Sequence, residues 1–443
     1  MKKFLLLALL LPYFCFSQGP KNEYAIIIDK KYNNGPASSV LVTKNYETVY
    51  SSIKGSIDLE NNIKADELSK FRIGSVSKQF TAIAILKLEE EGKLSVTDSI
   101  QQHLPNFPVK SHTVKIEHLL SHTSGLKEVT ELDIFFSDLM KNGCDPDSLV
   151  NYFKDYPLEF EPGSDFSYCN SGYHLLGLII EKTSGMDYNE YILKHILSPA
   201  KMANSMPDNN MTIIPNRASG YEEMNGKLVN ATYLDMSIPY SAGNLLSTAQ
   251  DLNNWYKALF DYKIVSQKTL EKAHQPYLLN DENSSGYGFG WFIDSLQGEK
   301  IISHEGGING FLSSAWFNPG QKVLTVILSN CMCNPTANTA KKLMAIGMGK
   351  PLEEKKRLSL SDEILSKYVG TYDMDGEKWT ISKEGDHLYF QFESGTGHPI
   401  FAYEENKFFA EEWDSKFFFV EKEGKMEFHF IYLGGVVKGF KSE

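Results

Sequence analysis

Two groups of strand-like segments, far apart in the chain, constrain the fold more than any other feature. The alternating stretch VLVTKNYETVYSSIKG lies within residues 24–58, which we interpret as antiparallel strands with a turn near Lys44-Asn45. Strand-like segments return much later, in GYGFGWFI from Gly286, IISH from Ile301, FLSSAWF from Phe311 and KVLTVILSN from Lys322. One sheet therefore has to join distant parts of the chain.

The residues between these strands are mainly helical in pattern. Apolar residues recur at helical spacing in segments that Gly, Pro and Asn separate, namely residues 78–91, 116–122, 149–154, 172–182, 188–196 and 249–260. A further helix-like stretch, TANTAKKLMAIGM, follows the last of these strands. The pattern predicts an α/β (α+β) domain with an antiparallel sheet and a helical region.

The N-terminal residues are typical of an export signal rather than of a folded element. Lys2 and Lys3 precede an apolar run that ends near Ser17. The run is shorter than the roughly 20 apolar residues that a membrane span needs. We therefore expect an exported protein, periplasmic or secreted after cleavage near Ser17, without stable membrane insertion. Lipid attachment at Cys15 is a weaker alternative because bulky aromatic residues precede it.

A second domain is indicated at the C-terminal end. The segment PLEEKKRLSLSDE, from Pro351, is polar and charge-rich, as linkers are. Beyond it, short alternating runs recur at intervals of about ten residues: KYVGTY, EKWTIS, HLYFQF, HPIFAY, KFFAEE, SKFFFV, MEFHFIY and VVKGF. They predict a small all-β barrel or sandwich. We place the domain boundaries at residues 1–17, 18–352, 353–360 and 361–443 for the signal, first domain, linker and β-domain.

Charge excludes one class of partner. The formal net charge is −12, and it becomes −14 once Lys2 and Lys3 are removed. Nucleic acid is an unlikely partner because phosphate binding needs concentrated positive charge. The cysteines that remain after cleavage are too few for a disulfide framework in a chain of 443 residues, and their pairing stays open: Cys144, Cys169, Cys331 and Cys333.

One Ser-x-x-Lys string stands out from the four in the chain. Ser51/Lys54 lies in an alternating strand, and the strings that begin at Ser124 and Ser198 run into Gly125 and Pro199. Only Ser75 follows a glycine and precedes a sustained helical pattern, so that Lys78 shares its face. The simpler alternative is that Ser75 caps the helix and that Lys78 is solvated.

Catalysis by Ser75 needs a base, since a serine hydroxyl is a poor nucleophile until its proton is removed. Lys78 serves only when neutral, which requires desolvation or nearby positive charge. In FSYCNSGY, Tyr168 and Asn170 can point the same way. A phenol whose pKa is lowered by cations could relay protons, and the Asn170 amide could hold a substrate carbonyl and Lys78. The alternative is a loop in which the tyrosine packs and the asparagine caps a helix.

ISHEGGINGF supplies a third candidate segment. A strand ends at His304 and runs into glycines, which commonly allow a second backbone or a ligand to come close. The N–H of Gly307 could then act with that of Ser75 on an oxyanion. His304 could add a hydrogen bond or a switchable charge. The alternative is a glycine-rich turn that carries a surface histidine.

Together these motifs resemble those of the penicillin-recognising serine hydrolases, especially the class C β-lactamase-like branch. The matching segments are SVSK from Ser75, YCN from Tyr168 and HEG from His304, together with LLSHTSGL from Leu119 and SAGNLLSTAQDLNNW from Ser241. The resemblance covers about residues 18–352. The tail from about Ser361 resembles the small lipocalin-like β-domain that follows such domains in many relatives.

The resemblance implies a role for each matched position. Ser75 would be the acylated nucleophile, Lys78 its activating neighbour and Tyr168 the main proton carrier. Asn170 would contact the substrate, and His304 would stand beside the oxyanion strand.

Gly306 and Gly307 complete the expected substrate-binding set beside that strand. The implied chemistry is acyl-enzyme hydrolysis of an ester or amide in a small molecule or short peptide, without a cofactor or metal. Esters, peptides with D-residues and β-lactams all suit it. Many members have lysine where His304 stands, and histidine is mostly neutral at pH 7, which argues against efficient β-lactam hydrolysis.

Two rival functions deserve weight. His118 and His122 are four residues apart on a predicted helix near His112, which could indicate a zinc hydrolase. The intervening Leu119-Leu120-Ser121 lacks the glutamate of an HExxH metalloprotease. The second rival is an inactive protein of the same fold that binds a peptide or penicillin, or assembles with others. The sequence does not indicate the oligomeric state.

Overall fold

A computed structural model of the protein describes residues 20–32, 34–353, 355–374, 376–392, 397–410, 415–422, 424–432 and 435–442. The predicted export signal, residues 1–17, lies outside these residues. Within them, no helix combines the length and the apolar character that crossing a membrane requires.

The helices of the described residues lie mostly between residues 78 and 347. They are α1 Pro20–Lys31, α2 Lys78–Glu90, α3 Ile100–His103, α4 Ile116–Leu120, α5 Met140–Asn142, α6 Pro146–Leu149, α7 Asn170–Ser184, α8 Tyr188–Ile192, α9 Tyr240–Gly243, α10 Ala249–Phe260, α11 Gln267–Ala273, α12 Ala337–Gly347 and α13 Asp362–Tyr368. Tighter 3₁₀ turns span Gly74–Ser77, Val129–Glu131 and Val150–Tyr152, and wider π-helical turns span Phe135–Leu139 and Leu193–Leu197.

The strands fall into an early, a late and a C-terminal group, with short pairs between them. They are β1 Ser38–Lys44, β2 Glu47–Lys54, β3 Ser56–Asp58, β4 Ile63–Lys64, β5 Phe71–Arg72, β6 Met206–Pro207, β7 Tyr221–Met224, β8 Lys227–Asn230, β9 Leu245–Ser247, β10 Phe292–Leu296, β11 Glu299–Ile308, β12 Phe311–Asn318, β13 Val323–Ser329, β14 Gly370–Met374, β15 Glu377–Glu384, β16 His387–Gln391, β17 His398–Glu404, β18 Lys407–Ala410, β19 Ser415–Lys422, β20 Lys425–Tyr432 and β21 Gly435–Lys441.

The main sheet joins the two ends of the first domain, as predicted. In the described residues its antiparallel order is β10-β11-β12-β13-β1-β2, and β1 pairs with β13 from Ser38↔Ser329 to Lys44↔Val323. Side chains on β13 alternate between two apolar clusters, with Ile327 facing α1 and α12 and Val326 facing the helical region. The α/β (α+β) fold class with an antiparallel sheet is confirmed.

The start of the first predicted strand region is a helix instead. Residues 24–31 belong to α1, which buries Tyr24 and Ile28 against the sheet, together with Tyr32 directly after the helix. Residues four apart lie on one face of a helix and also on one face of a strand, so the spacing of these apolar residues does not distinguish the two structures. The β1–β2 hairpin that follows is as predicted, with a turn at Asn45-Tyr46.

Two further predictions need correction. Residues 286–291 of the stretch GYGFGWFI are irregular, because Gly290 has a φ of +91° and packs its backbone on α2, so that the strand begins only at Phe292. The helix expected over residues 149–154 is a short α6 continued by a 3₁₀ turn.

The C-terminal segments form the predicted β-domain. Within the described residues, each of the eight alternating runs contributes a strand, and β14–β21 close into a barrel in sequence order. Aromatic side chains fill its interior, among them Tyr372, Phe390, Phe417 and Phe428. The helix α13, which the sequence did not predict, precedes the barrel and buries Leu365 in this core.

The cysteine pairing that the sequence left open is also visible. Cys331 and Cys333 form a disulfide just after β13, whereas Cys144 and the buried Cys169 are free thiols.

Candidate active site

The candidate nucleophile lies where a 3₁₀ turn meets a long helix. Ser75 belongs to the turn Gly74–Ser77, and Lys78 is the first residue of α2. Ser75 is partly exposed, whereas Lys78 is fully buried. Lys78 Nζ donates a hydrogen bond of 3.0 Å to Ser75 Oγ. The two side chains that the sequence singles out are therefore in direct contact.

The amine of Lys78 is enclosed by acceptors from distant segments. It also donates to Asn170 Oδ1 at 2.7 Å and to the backbone carbonyl of Ala242 at 2.9 Å. Burial lowers the pKa of Lys78 from 10.5 to about 7, although the Glu128 carboxylate opposes that shift. The desolvated lysine that the sequence argument requires is thus present, and near neutral pH it exists in both protonation states.

Glu128 fixes the orientation of Asn170. Its carboxylate accepts from the backbone N–H of Asn170, from Asn170 Nδ2 at 3.0 Å and from the backbone N–H of Ser171 at 3.3 Å. The amide nitrogen of Asn170 is thereby held by Glu128, which turns its oxygen toward Lys78. These N–H groups open helix α7, where a negative charge is favourable. Sequence reasoning missed Glu128, which lies just after LLSHTSGL and belongs to no recognisable motif.

Tyr168 reaches the same place from the segment before α7. Its ring centroid lies 4.8 Å from Lys78 Nζ, and its hydroxyl is buried without a hydrogen-bond partner among the described residues. Burial raises the pKa of the phenol well above its usual value, and the neighbouring Ser75 hydroxyl offsets only part of that shift. The expectation of a lowered pKa is therefore wrong, because desolvation outweighs any stabilisation of the phenolate by cations.

An aromatic cluster holds Tyr168 in position. The ring of His122 packs 4.1 Å from that of Tyr168, centroid to centroid, and 4.9 Å from that of Tyr173. His122 Nδ1 accepts a 3.0 Å hydrogen bond from the backbone N–H of Cys169. Burial lowers the pKa of His122 well below 6.5, so the ring is neutral. His122 therefore holds the segment Tyr168-Cys169-Asn170 in place through a ring contact and a backbone hydrogen bond.

The geometry does not support the zinc alternative. Helix α4 ends at Leu120 and His122 has a φ of +58°, so His118 and His122 do not share a helix face. His118 Nδ1 instead accepts from the backbone N–H of Lys115. Within the described ranges, no three potential metal-ligating side chains cluster.

His304 is a buried, neutral residue of β11. Its Nδ1 lies 2.6 Å from the Glu305 carbonyl oxygen and its Nε2 lies 2.8 Å from the Tyr287 hydroxyl. The carbonyl can only accept, which places the proton on Nδ1 and makes Nε2 the acceptor for Tyr287. Burial and the charge of Lys78 lower the pKa of His304 to about 3. The ring therefore carries no switchable charge near neutral pH, which corrects that part of the expectation.

Gly306 and Gly307 let β11 approach the turn that carries Ser75. A Cβ on Gly306 would lie 2.1 Å from the carbonyl oxygen of Ile73, and a Cβ on Gly74 would lie 3.1 Å from the backbone nitrogen of Gly307. β10 pairs with β11 only as far as Ser303, so the remainder of that edge is not covered by β10. The exposed Gly307 therefore presents its backbone beside Ser75.

Comparison of the sequence with known protein families identifies the family to which this chain belongs. The beta-lactamase family profile matches residues 28–349. The chain belongs to the beta-lactamase family. The match extends from α1 to the end of α12, so it includes the whole main sheet and each segment that contributes to the candidate site.

Curated members of this family resemble the chain over most of its length. Penicillin-binding protein 4* of Bacillus subtilis (strain 168) is 30% identical over 404 residues, which cover 84% of this chain and 87% of that protein. The putative penicillin-binding protein PbpX of the same strain is 31% identical over 301 residues, 68% of this chain and 72% of that one.

Solved structures share the fold over different shares of the chain. The octameric penicillin-binding protein homologue from Pyrococcus abyssi superposes with a TM-score of 0.69 at 26% identity, covering 95% of this chain and 99% of that one. The D-amino acid amidase from Ochrobactrum anthropi SV3 superposes at 0.63 with 20% identity, covering 74% and 98%. At that identity the second likeness concerns the fold alone.

Proposed function

We propose that this member of the beta-lactamase family is an exported serine hydrolase that forms an acyl-enzyme on Ser75. The observation that carries the proposal is the hydrogen bond between Ser75 Oγ and the buried amine of Lys78, whose pKa is about 7. A lysine with this pKa is neutral in a large fraction of molecules at physiological pH. General bases work best when their pKa lies near the working pH.

Acylation uses the neutral amine first. Lys78 accepts the Ser75 proton while Oγ attacks the carbonyl carbon of the ester or amide, and negative charge develops on the carbonyl oxygen. The backbone N–H groups of Ser75 and Gly307 serve as its hydrogen-bond donors. Asn170 keeps Lys78 in place through its 2.7 Å contact.

Departure of the leaving group needs a proton donor. The phenol of Tyr168 is protonated at neutral pH, and its buried hydroxyl has no hydrogen-bond partner among the described residues. It gives its proton to the leaving nitrogen or oxygen and regains one from the Lys78 ammonium, which restores the neutral amine. Water then attacks the acyl-enzyme by the same route and releases Ser75.

Both the site and the relatives support a particular substrate class. We propose a small molecule or short peptide, with D-residue peptides and esters preferred over β-lactams. One curated relative is named as a penicillin-binding protein, and one protein of the same fold is named as a D-amino acid amidase. The neutral His304 lacks the permanent charge that would recruit a β-lactam carboxylate.

An activity-based fluorophosphonate probe tests the proposal. We expect labelling of the mature protein and no labelling of Ser75→Ala, with the adduct located on Ser75 by mass spectrometry. Ser51→Ala is the matched control, since Ser51 belongs to another Ser-x-x-Lys string but is exposed on β2. Absence of both labelling and an acyl adduct in the wild type would instead support a non-catalytic binding protein.

A further inference from the structure

A cavity of about 570 Å³ is lined in part by residues that flank the Ser75 turn and Gly307 in the sequence. Its wall is formed by the β11–β12 turn, by the chain before and after β7–β8, and by the end of β5. The side chains that matter most are Arg72, Arg217, Tyr233, Asn309 and Phe311. Asn309 Nδ2 donates to the carbonyl oxygen of Thr232 at 2.9 Å, which ties two sides of the wall together.

The cavity is connected to the catalytic turn through two elements of the fold. Arg72 is the last residue of β5 and precedes Ser75 by three residues. β5 pairs with β9, and β9 also pairs with β6. On the other side, Asn309 is the first residue of the β11–β12 turn, two residues after Gly307 in the sequence. The cavity and the candidate active site therefore share two structural elements, β5 with the turn that follows it and the β11–β12 hairpin.

The charge of this wall is opposite to that of the whole chain. Arg72 Nε lies 2.8 Å from one Asp208 oxygen and Arg217 Nη1 lies 2.9 Å from the other. The Asp208 side chain is fully buried, and its single negative charge is shared between the two guanidinium groups. The residues that line the cavity include both arginines and no aspartate or glutamate. The cluster keeps a net charge of +1 in a chain of net charge −12.

The two arginines also retain hydrogen-bond donors. Among the described residues, Arg72 uses only Nε in hydrogen bonds, and Arg217 uses only Nη1, to Asp208 and to the Asn209 carbonyl. Each guanidinium carries five N–H donors in a planar fork that fits a carboxylate. Arg72 is further held over the ring of Phe311, 5.7 Å from its centroid.

We propose that this cavity binds a carboxylate of the substrate, so that Arg72 and Arg217 determine specificity. The inference rests on the proposed hydrolase function and names the substrate class more closely: a D-residue peptide or ester that carries an acidic group near the scissile bond. The half-buried arginines replace the hydration of that group with charge-assisted hydrogen bonds.

Binding to the Ser75→Ala protein tests this without any turnover. One arm compares N-succinyl-D-alaninamide with its succinyl methyl ester, which places the acid on the acyl side. The other compares N-acetyl-D-alanyl-D-alanine with its C-terminal amide, which places it on the leaving side. In calorimetric titration at low salt, we expect the acid of at least one pair to bind about tenfold or more tightly than its neutral partner.

Charge variants on the same background identify the residues. Arg217→Gln should abolish most of the preference, Arg217→Lys should keep part of it, and Arg72→Gln should act like Arg217→Gln. Lys227→Gln is the control, because Lys227 is an exposed cation on β8 that does not line the cavity. Folding of each variant is checked by circular dichroism.

Equal binding of acid and neutral partner in both pairs would overturn the proposal, and so would failure of both acids to bind. An equal loss in Lys227→Gln would overturn it too, because the preference would then reflect general surface charge. These results are independent of catalysis: a wild-type protein that resists the fluorophosphonate probe would contradict the hydrolase function but leave the carboxylate preference measurable.

Discussion

At the scale of single residues, the burial of Lys78 makes a prediction about pH. Its folded pKa of about 7 predicts that kcat/KM for an ester rises through pH 7 as the amine loses its proton. Since the Glu128 carboxylate raises this pKa, Glu128→Gln should move the rising limb to lower pH. Stopped-flow or steady-state pH profiles of both proteins measure the shift. A limb that stays in place would contradict the assignment of Lys78 as the base.

Tyr168 gives a prediction that depends on the leaving group. Proton donation by a positioned side chain typically contributes about 10²–10⁴-fold. Tyr168→Phe should therefore lose activity of this order on an amide but much less on a p-nitrophenyl ester, whose leaving group needs no proton. Full amide activity in Tyr168→Phe would show that the Tyr168 phenol does not donate a proton to the leaving group.

The buried carboxyl group of Glu305, on the opposite face of β11 from His304, leads to a prediction about how stability depends on pH. Burial raises its pKa from 4.5 to about 7, although it accepts hydrogen bonds from Ser314 and Trp316. A raised carboxyl pKa means that the folded state favours the proton, so Glu305 lowers the free energy of unfolding as pH rises from about 4.5 to 7.

Glu305→Gln removes that titration while keeping a hydrogen-bond acceptor. The variant should gain stability relative to the wild type at pH 8 and not at pH 4. Urea unfolding of the two proteins at both pH values gives the comparison, and an equal difference at the two pH values would show that Glu305 titrates normally.

At the scale of elements, the contact between β11 and the Ser75 turn is the most sensitive feature of the site. Gly306→Ala would place a Cβ 2.1 Å from the Ile73 carbonyl oxygen and 2.3 Å from Ser313 Oγ, so the strand and the turn must separate. We expect a loss of stability and a large loss of kcat. At Gly307 a Cβ meets only a Leu312 methyl at 3.7 Å, so Gly307→Ala should fold normally. Equal melting temperatures for both variants would contradict this account.

How far a sequence predicts such elements depends on how local their causes are. The Ser75–Lys78 contact is set by one helical turn, and the barrel strands by alternation within each strand, so both could be read directly. The partners of Lys78 at Asn170 and Ala242 come from segments that meet only through tertiary packing, as does Tyr287 against His304. Their distances, and the burial that raises the pKa of Tyr168, are properties of the assembled core.

At the scale of the whole molecule, the apolar residues divide into separate cores. One lies between the sheet and the helical region, a second between the sheet and α1 with α12, and a third inside the barrel. In the part of the chain that the structure describes, the third core shares no residue with the other two. Since each domain has its own core, we predict that the barrel unfolds as an independent unit, with the boundary in the proposed linker 353–360.

Phe428 tests this independence. Its fully buried ring contacts Tyr372 and Phe417 inside the barrel, and its loss should cost about 3–5 kcal/mol. Phe428→Ala should therefore lower only one of two calorimetric transitions and leave Ser75-dependent ester hydrolysis near the wild-type rate. Phe440→Ala, on the partly exposed outside of β21, is the matched control and should change neither. A single transition that falls together with activity would mean that the barrel supports the catalytic domain, because the two cores would then melt as one cooperative unit.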